Sequence, residues 1–239
     1  MSDPNEAAGP IVFTRAGMVR GVRDVVPMLV ATVPFGLVCG IVSQAAGLSL
    51  VENGLMGALV YAGSAQLVAL SAWAHPAPVL AATVAAFTVN LRLALMGPVL
   101  APWLDRLHGA RLLGSLFVMA DQTWALSVRE MNRGGLDAAY LFGSGAVMWL
   151  VWLLSTLAGH LLGAAMRPAP GHPLFFAALA VFVSILVGMW RGPRDLLPWA
   201  VAAAVAILVA RLAPGTSWYI VAGALCGALT GALRDRRRA

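Results

Sequence analysis

Ala139-Tyr-Leu-Phe-Gly-Ser-Gly-Ala-Val-Met-Trp-Leu-Val-Trp-Leu-Leu-Ser-Thr-Leu-Ala-Gly-His-Leu-Leu-Gly-Ala-Ala165 carries no charged residue. About 20 mostly apolar residues suffice to carry a helix across the hydrocarbon of a bilayer. The run lacks the apolar/polar alternation over about 10 residues that marks a barrel strand. It reads as a transmembrane helix, and similar runs recur along the chain. The expected spans are 25–46, 55–73, 78–100, 112–130, 139–165, 174–190, 196–212 and 216–233. The fold class is therefore all-α, a polytopic helical membrane protein with about eight spans. If the short second span is re-entrant, seven remain.

Composition agrees. The 239 residues are 60% hydrophobic and 11% charged, against roughly 45–50% and about 25% for soluble domains. Mean hydropathy is +0.84. The lipid bilayer is the expected surrounding. A net charge of +6 would suggest nucleic acid in a soluble chain. Here the arginines sit in gaps between apolar runs, so no nucleic-acid partner is expected. Cys39 and Cys226 fall inside apolar spans without metal-ligand spacing, so neither a metal nor a disulfide framework is expected. No cofactor motif is present. Residues 1–24 hold Asp3, Glu6, Arg15, Arg20 and Arg23 and no apolar core of a cleavable leader. The expected organisation is a cytoplasmic segment 1–22, one transmembrane domain 23–233 and a basic tail 234–239.

Loop arginines orient such a protein, because cytoplasmic loops carry the excess. Eight spans place eleven arginines on the side of the N-terminus and four, Arg106, Arg111, Arg167 and Arg211, on the other. Both termini are then cytoplasmic. Arg106 and Arg111 together in one outer loop are the weak point. Trp73, Trp103, Trp190, Trp199 and Trp218 lie near span ends and suit an interfacial belt. Gly21-Val-Arg23-Asp24-Val-Val-Pro27 is echoed by Gly192-Pro-Arg194-Asp195-Leu-Leu-Pro198. Shared helix-start chemistry, an acid and a proline in the first turn, accounts for this. An internal repeat is the alternative.

Polar groups deep in apolar runs are costly and mark solute paths. Pro34-Phe35-Gly36 interrupts the first span, since proline removes a backbone donor and clashes with the preceding turn. Tyr61-Ala-Gly63-Ser64-Ala-Gln66 weakens the second. Asn90 and Arg92 lie near the centre of the third, two residues and hence about 200° apart on a regular helix. Asp121 is central to the fourth and is the candidate proton carrier; a structural pair with Arg92 is the competing role. Close packing of small residues would equally explain Gly63 and its neighbours. His160, His75, His108 and His172 read as interfacial. Spans six to eight read as scaffold or as a face for a partner.

Three strings carry a resemblance over about 21–231: Pro34-Phe-Gly36, Ala62-Gly-Ser-Ala-Gln66 and Asn90-Leu-Arg92, with Asp121 in support. At that spacing the chain resembles the AzlC-type branched-chain amino acid exporters. The resemblance implies a secondary transporter of the bacterial inner membrane and a small AzlD-type membrane subunit as partner. The chain departs from the family at Gln122, often Glu, and at Leu93, often His. Those departures bear on the coupling ion and the substrate, not on the fold.

An amino acid zwitterion removed from water needs partners for both charges. Arg92, or amides near Gly63 and Ser64, would receive the carboxylate. Asp121, Gln66 and carbonyls freed by Pro34 would receive the ammonium. Phe35, Leu67 and Val89 would meet the side chain, and Asn90 and Gly36 border the site. Proton antiport through Asp121 is the expected coupling. An enzyme is not expected: HExxH is missing, and no GxSxG or Asp-rich headgroup motif lies in a usable context. A non-transporting assembly or sensor subunit, or a transporter of another small organic solute, are the alternatives.

Overall fold

The computed structural model describes residues 10–71, 73, 79–166, 183, 187, 190, 192–213 and 218–236. The expected sixth span, 174–190, lies almost wholly outside them, as do His75 and His172. The described residues are helical and contain no strand, only an isolated bridge between Val12 and Asp137.

Two helices among the described residues are long and apolar enough to cross a membrane: α1 (Arg15–Ala45) and α8 (Ala139–Met166). They run side by side and parallel. Gly17 faces Asp137, Gly21 faces Tyr140 and Ser144, Gly36 faces Ser155, and Gly163 faces Gln44. Glycine permits the contact: a Cβ on Gly40 would overlap the Thr156 carbonyl oxygen, and one on Gly159 that of Leu37. Without side chains between them, the two backbones touch, the usual way apolar helices gain packing in lipid. Their starts are tied by one buried carboxylate. Asp137 accepts from the Thr14 amide (3.1 Å), the Thr14 hydroxyl and the Ala139 amide (3.2 Å).

Between these helices the chain makes two hairpins, one from each end. The first is α2 (Leu50–Leu59) and α3 (Gly63–Ser71). Ser49 and Glu52 form a capping box that starts α2. Asn53 lies against Ser43 and Thr156, near the end of α1, while the Ala58 carbonyl accepts from Trp149. So α2 runs inward, antiparallel to α8. The helix stops at Val60–Ala62, where Tyr61 takes φ 40°. The turn brings the Gln66 amide back to within 3.9 Å of where a Gly57 Cβ would stand; nine residues of unbroken helix would separate them by about 13.5 Å. α4 (Val79–Met96) packs along α3, with Ala86 against Ala62 and Ala65. It then carries the chain to the opposite end.

There Gly97–Leu100 forms a 3-10 turn and Ala101–Leu104 a short α5. The second hairpin is α6 (Ala110–Phe117) and α7 (Asp121–Asn132). Arg111, at its beginning, lies 5.3 Å over the Phe13 ring. Gly114 then passes Phe142, and Val118 passes Gly145. After the break at Val118–Ala120, α7 returns: Glu130 comes within 3.8 Å of Arg20, and the Leu136 carbonyl accepts from the Val12 amide at 2.9 Å. Both ends of this hairpin therefore lie where α1 begins.

Spans two and four are thus not single crossing helices. Each enters and leaves at one end, for a local reason: a strained tyrosine before Gly63, and a new helix start at Asp121. Arg106 and Arg111 consequently lie at the same end as Arg20, Arg23, Arg129 and Arg133, not opposite them. Pro34 does not break its span, since α1 is continuous through Pro27 and Pro34. The two echoed strings also differ. Asp24 and Pro27 lie inside α1, whereas Asp195 and Pro198 start α9 (Leu196–Leu212). α9 pairs with α10 (Trp218–Arg236) through Gly223 and Gly227.

Trp103 belongs to the core instead of a belt. It is 1% exposed, donates to the Gly135 carbonyl at 3.1 Å and stacks edgewise on Tyr140. Trp218, 67% exposed, remains at the surface.

Candidate functional site

The two hairpin tips meet one core. Tyr61 from the first and Ala120 from the second pack against the same buried cluster, which holds Met119 and Met148. Both tips present a helix N-terminus. α3 starts at Gly63 and α7 at Asp121, so two helix N-termini face inward from opposite ends. The aligned peptide dipoles place partial positive charge there.

Gly63 is closely packed by its neighbours. A Cβ would stand 2.7 Å from the Trp152 ring and equally collide with Phe35. Phe35 and Trp152 form an edge-to-face pair with centroids 5.4 Å apart. Gln66, 2% exposed, accepts from the Trp152 indole at 3.0 Å. Gly36 is buried against Ser155. Phe35, Gly36, Gly63, Ser64 and Gln66 are thereby brought together by α1, α3 and α8. Pro34 is not: it is exposed, and the carbonyl it frees belongs to Val30, which is 76% exposed. The expected role of Pro34 in ammonium binding has no support in this geometry.

Asp121 is half-buried and is the first residue of α7. The break before it is fixed by Thr123, whose hydroxyl accepts from the Ala120 amide at 2.9 Å. The Trp124 indole donates to the Met96 carbonyl at 2.9 Å, so the end of α4 lies beside the start of α7. Arg92 is on α4 one turn before Met96; its side chain, and with it the expected pairing with Asp121, lies outside the described residues, as does that of Val89. Asn90 is on the same regular helix, and its Oδ1 is buried without a partner among the described residues. So is the hydroxyl of Tyr61.

Two clusters escaped the reading of the sequence. Ser43, Asn53, Thr156 and His160 interlock where α1, α2 and α8 meet. The Ser43 hydroxyl has the Gly40 carbonyl at 2.8 Å, Asn53 Oδ1 at 2.7 Å and His160 Nδ1 at 3.2 Å. Asn53 donates to the Thr156 carbonyl at 3.1 Å, which fixes its amide orientation. Its one proton committed to an acceptor, Ser43 must accept from His160 Nδ1–H. His160, 6% exposed, is a core residue. The second cluster is the Asp137 tie.

The family model described as AzlC protein matches residues 27–166, more than half of the chain. The chain belongs to the AzlC family. No curated protein and no solved structure matches it. AzlC proteins are a transporter-associated membrane family. The matched stretch begins inside α1 and ends with α8. It therefore takes in both hairpins and every described residue around their tips.

Proposed function

We propose that this AzlC protein is a secondary transporter that exports branched-chain amino acids across the bacterial inner membrane. The observation that carries the reading is the pair of half-helix N-termini at Gly63 and Asp121, directed into one core from opposite ends. Broken helices of this kind bind ionic substrate groups in other transporter folds. The leading amides of α3 would take the substrate carboxylate, and Arg92 would add to them. Asp121 and Gln66 would take the ammonium, with Asn90 Oδ1 as a further acceptor. Phe35 and Trp152 offer an apolar wall for a branched side chain. Alternating access would expose this level first to one hairpin's end and then to the other's.

Asp121 is the proposed proton carrier, giving amino acid/proton antiport. Both termini are proposed to be cytoplasmic; the seven described arginines, including Arg106 and Arg111, that gather where α1 begins support that side for the N-terminus. A small AzlD-type membrane subunit is the proposed partner; α9, which has no buried residue, offers an open apolar face.

Export of leucine, isoleucine, valine and methionine from cells expressing the chain with and without that subunit tests the reading. Export of the branched three is expected, and only with both subunits present. Equal export in both conditions removes the two-subunit arrangement, and no export of any solute removes transport. Asp121→Asn should abolish proton-coupled export while the protein still inserts and folds. Normal export by that variant would reject Asp121 as the carrier.

A further inference from the structure

At the end of the bundle where α1 begins, α1, α7 and α8 line an open cleft of about 310 Å³, at the small end of ligand-sized cavities. We propose that this cleft is a second binding site, which takes a free α-amino acid as its zwitterion. Its role as a loading station for the hairpin site rests on the transport reading; the binding itself does not.

The walls carry both signs of charge. Arg23 and Asp24 come from α1, Arg129 and Glu130 from the last turn of α7, and Arg133 from its cap. Pro27 and Leu126 supply its apolar lining. Among the described residues, Arg23, Arg129 and Arg133 make no ion pair within 4.0 Å; the one such pair is Arg20–Glu130, at 3.8 Å. Guanidinium groups in a cleft without carboxylate partners are ready-made donors to a carboxylate, which they grip with two parallel N–H···O bonds.

The acidic side is held in place. Tyr140, 2% exposed, donates its hydroxyl to Asp24 Oδ2 at 2.9 Å. That bond fixes the carboxylate and leaves its other oxygen for an ammonium group. The C-terminal end of α7, with partial negative charge, adds to the attraction for a cation. A simple anion would meet the carboxylates of Asp24 and Glu130, and a simple cation would meet three guanidinium groups. A ligand with one charge of each sign fits both walls, and Pro27 and Leu126 meet its side chain. α7 then links the two sites: Asp121 starts it, and Leu126 and Glu130, about 8 and 14 Å further along the helix, line this cleft. Ethanolamine phospholipids carry the same paired charges, so lipid composition is a necessary arm of the test.

The experiment measures equilibrium binding of radiolabelled L-leucine to the full chain in phosphatidylcholine nanodiscs. Isovalerate and isoamylamine, each with half of the zwitterion, serve as competitors. Glu130→Gln and Arg133→Gln should each weaken leucine binding at the cleft at least tenfold and leave binding at the hairpin site unchanged, with unchanged thermal midpoints as the check on folding. Both half-ligands should compete at least tenfold worse than leucine. Binding that neither variant alters overturns the proposal. So does isovalerate competing as well as leucine, or displacement of leucine by added phosphatidylethanolamine, which would assign the cleft to a headgroup. Failure of transport is read separately. Wild-type protein that binds leucine through Glu130 yet moves none keeps the cleft and rejects the exporter. Normal export with binding indifferent to both variants does the reverse.

Discussion

Tyr61 combines two costs at one residue: a backbone with φ 40° and a hydroxyl buried without a partner among the described residues. Each is worth on the order of 1–3 kcal/mol, and such costs persist where a site uses them. Tyr61→Phe removes only the oxygen. The thermal midpoint should stay the same or rise, while leucine export should fall about tenfold, the loss of roughly one hydrogen bond to substrate. Full export by a stable variant would mean that the hydroxyl is a packing defect and no more. Gln66, Asn90 and Asp121 stand out in the sequence as polar side chains inside apolar runs, and their place in a substrate site is a proposal. Asp137, Ser43, Asn53 and His160 do not stand out. Their partners lie up to 123 residues away, as Thr14 does from Asp137, and only the register of α1 against α8 reveals them.

The α1–α8 seam decides the fold at the scale of elements. Its signal was present as Gly17-x-x-x-Gly21, Gly36-x-x-x-Gly40 and Gly159-x-x-x-Gly163, the small-residue spacing that lets helices touch in lipid. Gly40→Val should separate the helices and lower stability by about 1–3 kcal/mol or more, read as a lower thermal midpoint in detergent. Gly97→Ala, where the added Cβ meets nothing within 4 Å, should leave the midpoint unchanged. Equal midpoints for both variants would disprove the close seam. The hairpins were harder to read than the seam. Tyr61-Ala-Gly63 advertised a weak point, but Phe117-Val-Met-Ala120 contains no breaker. Its break comes from Thr123 capping a new helix, a contact invisible to apolar periodicity. A run long enough to span can thus hide two half-helices that do not.

The whole molecule gains a consistent charge asymmetry from those hairpins. Counting eight crossings put Arg106 and Arg111 opposite Arg20, Arg23, Arg129 and Arg133; two hairpins reunite them. The arrangement predicts that Arg111→Cys and Arg133→Cys react with an impermeant maleimide from the side of the N-terminus, and Ser49→Cys from the other side. Reaction of the first two from opposite sides would restore span four as a crossing helix. The central claim is that the tips at Gly63 and Asp121 form one substrate site. Cysteines placed at Ser64 and Ala120, in a background with Cys39 and Cys226 replaced by serine, report on both tips in one labelling experiment with and without leucine. Leucine should slow labelling at both positions at the same concentration. Labelling that leucine leaves unchanged at either tip, in a protein that still exports, would contradict the shared site.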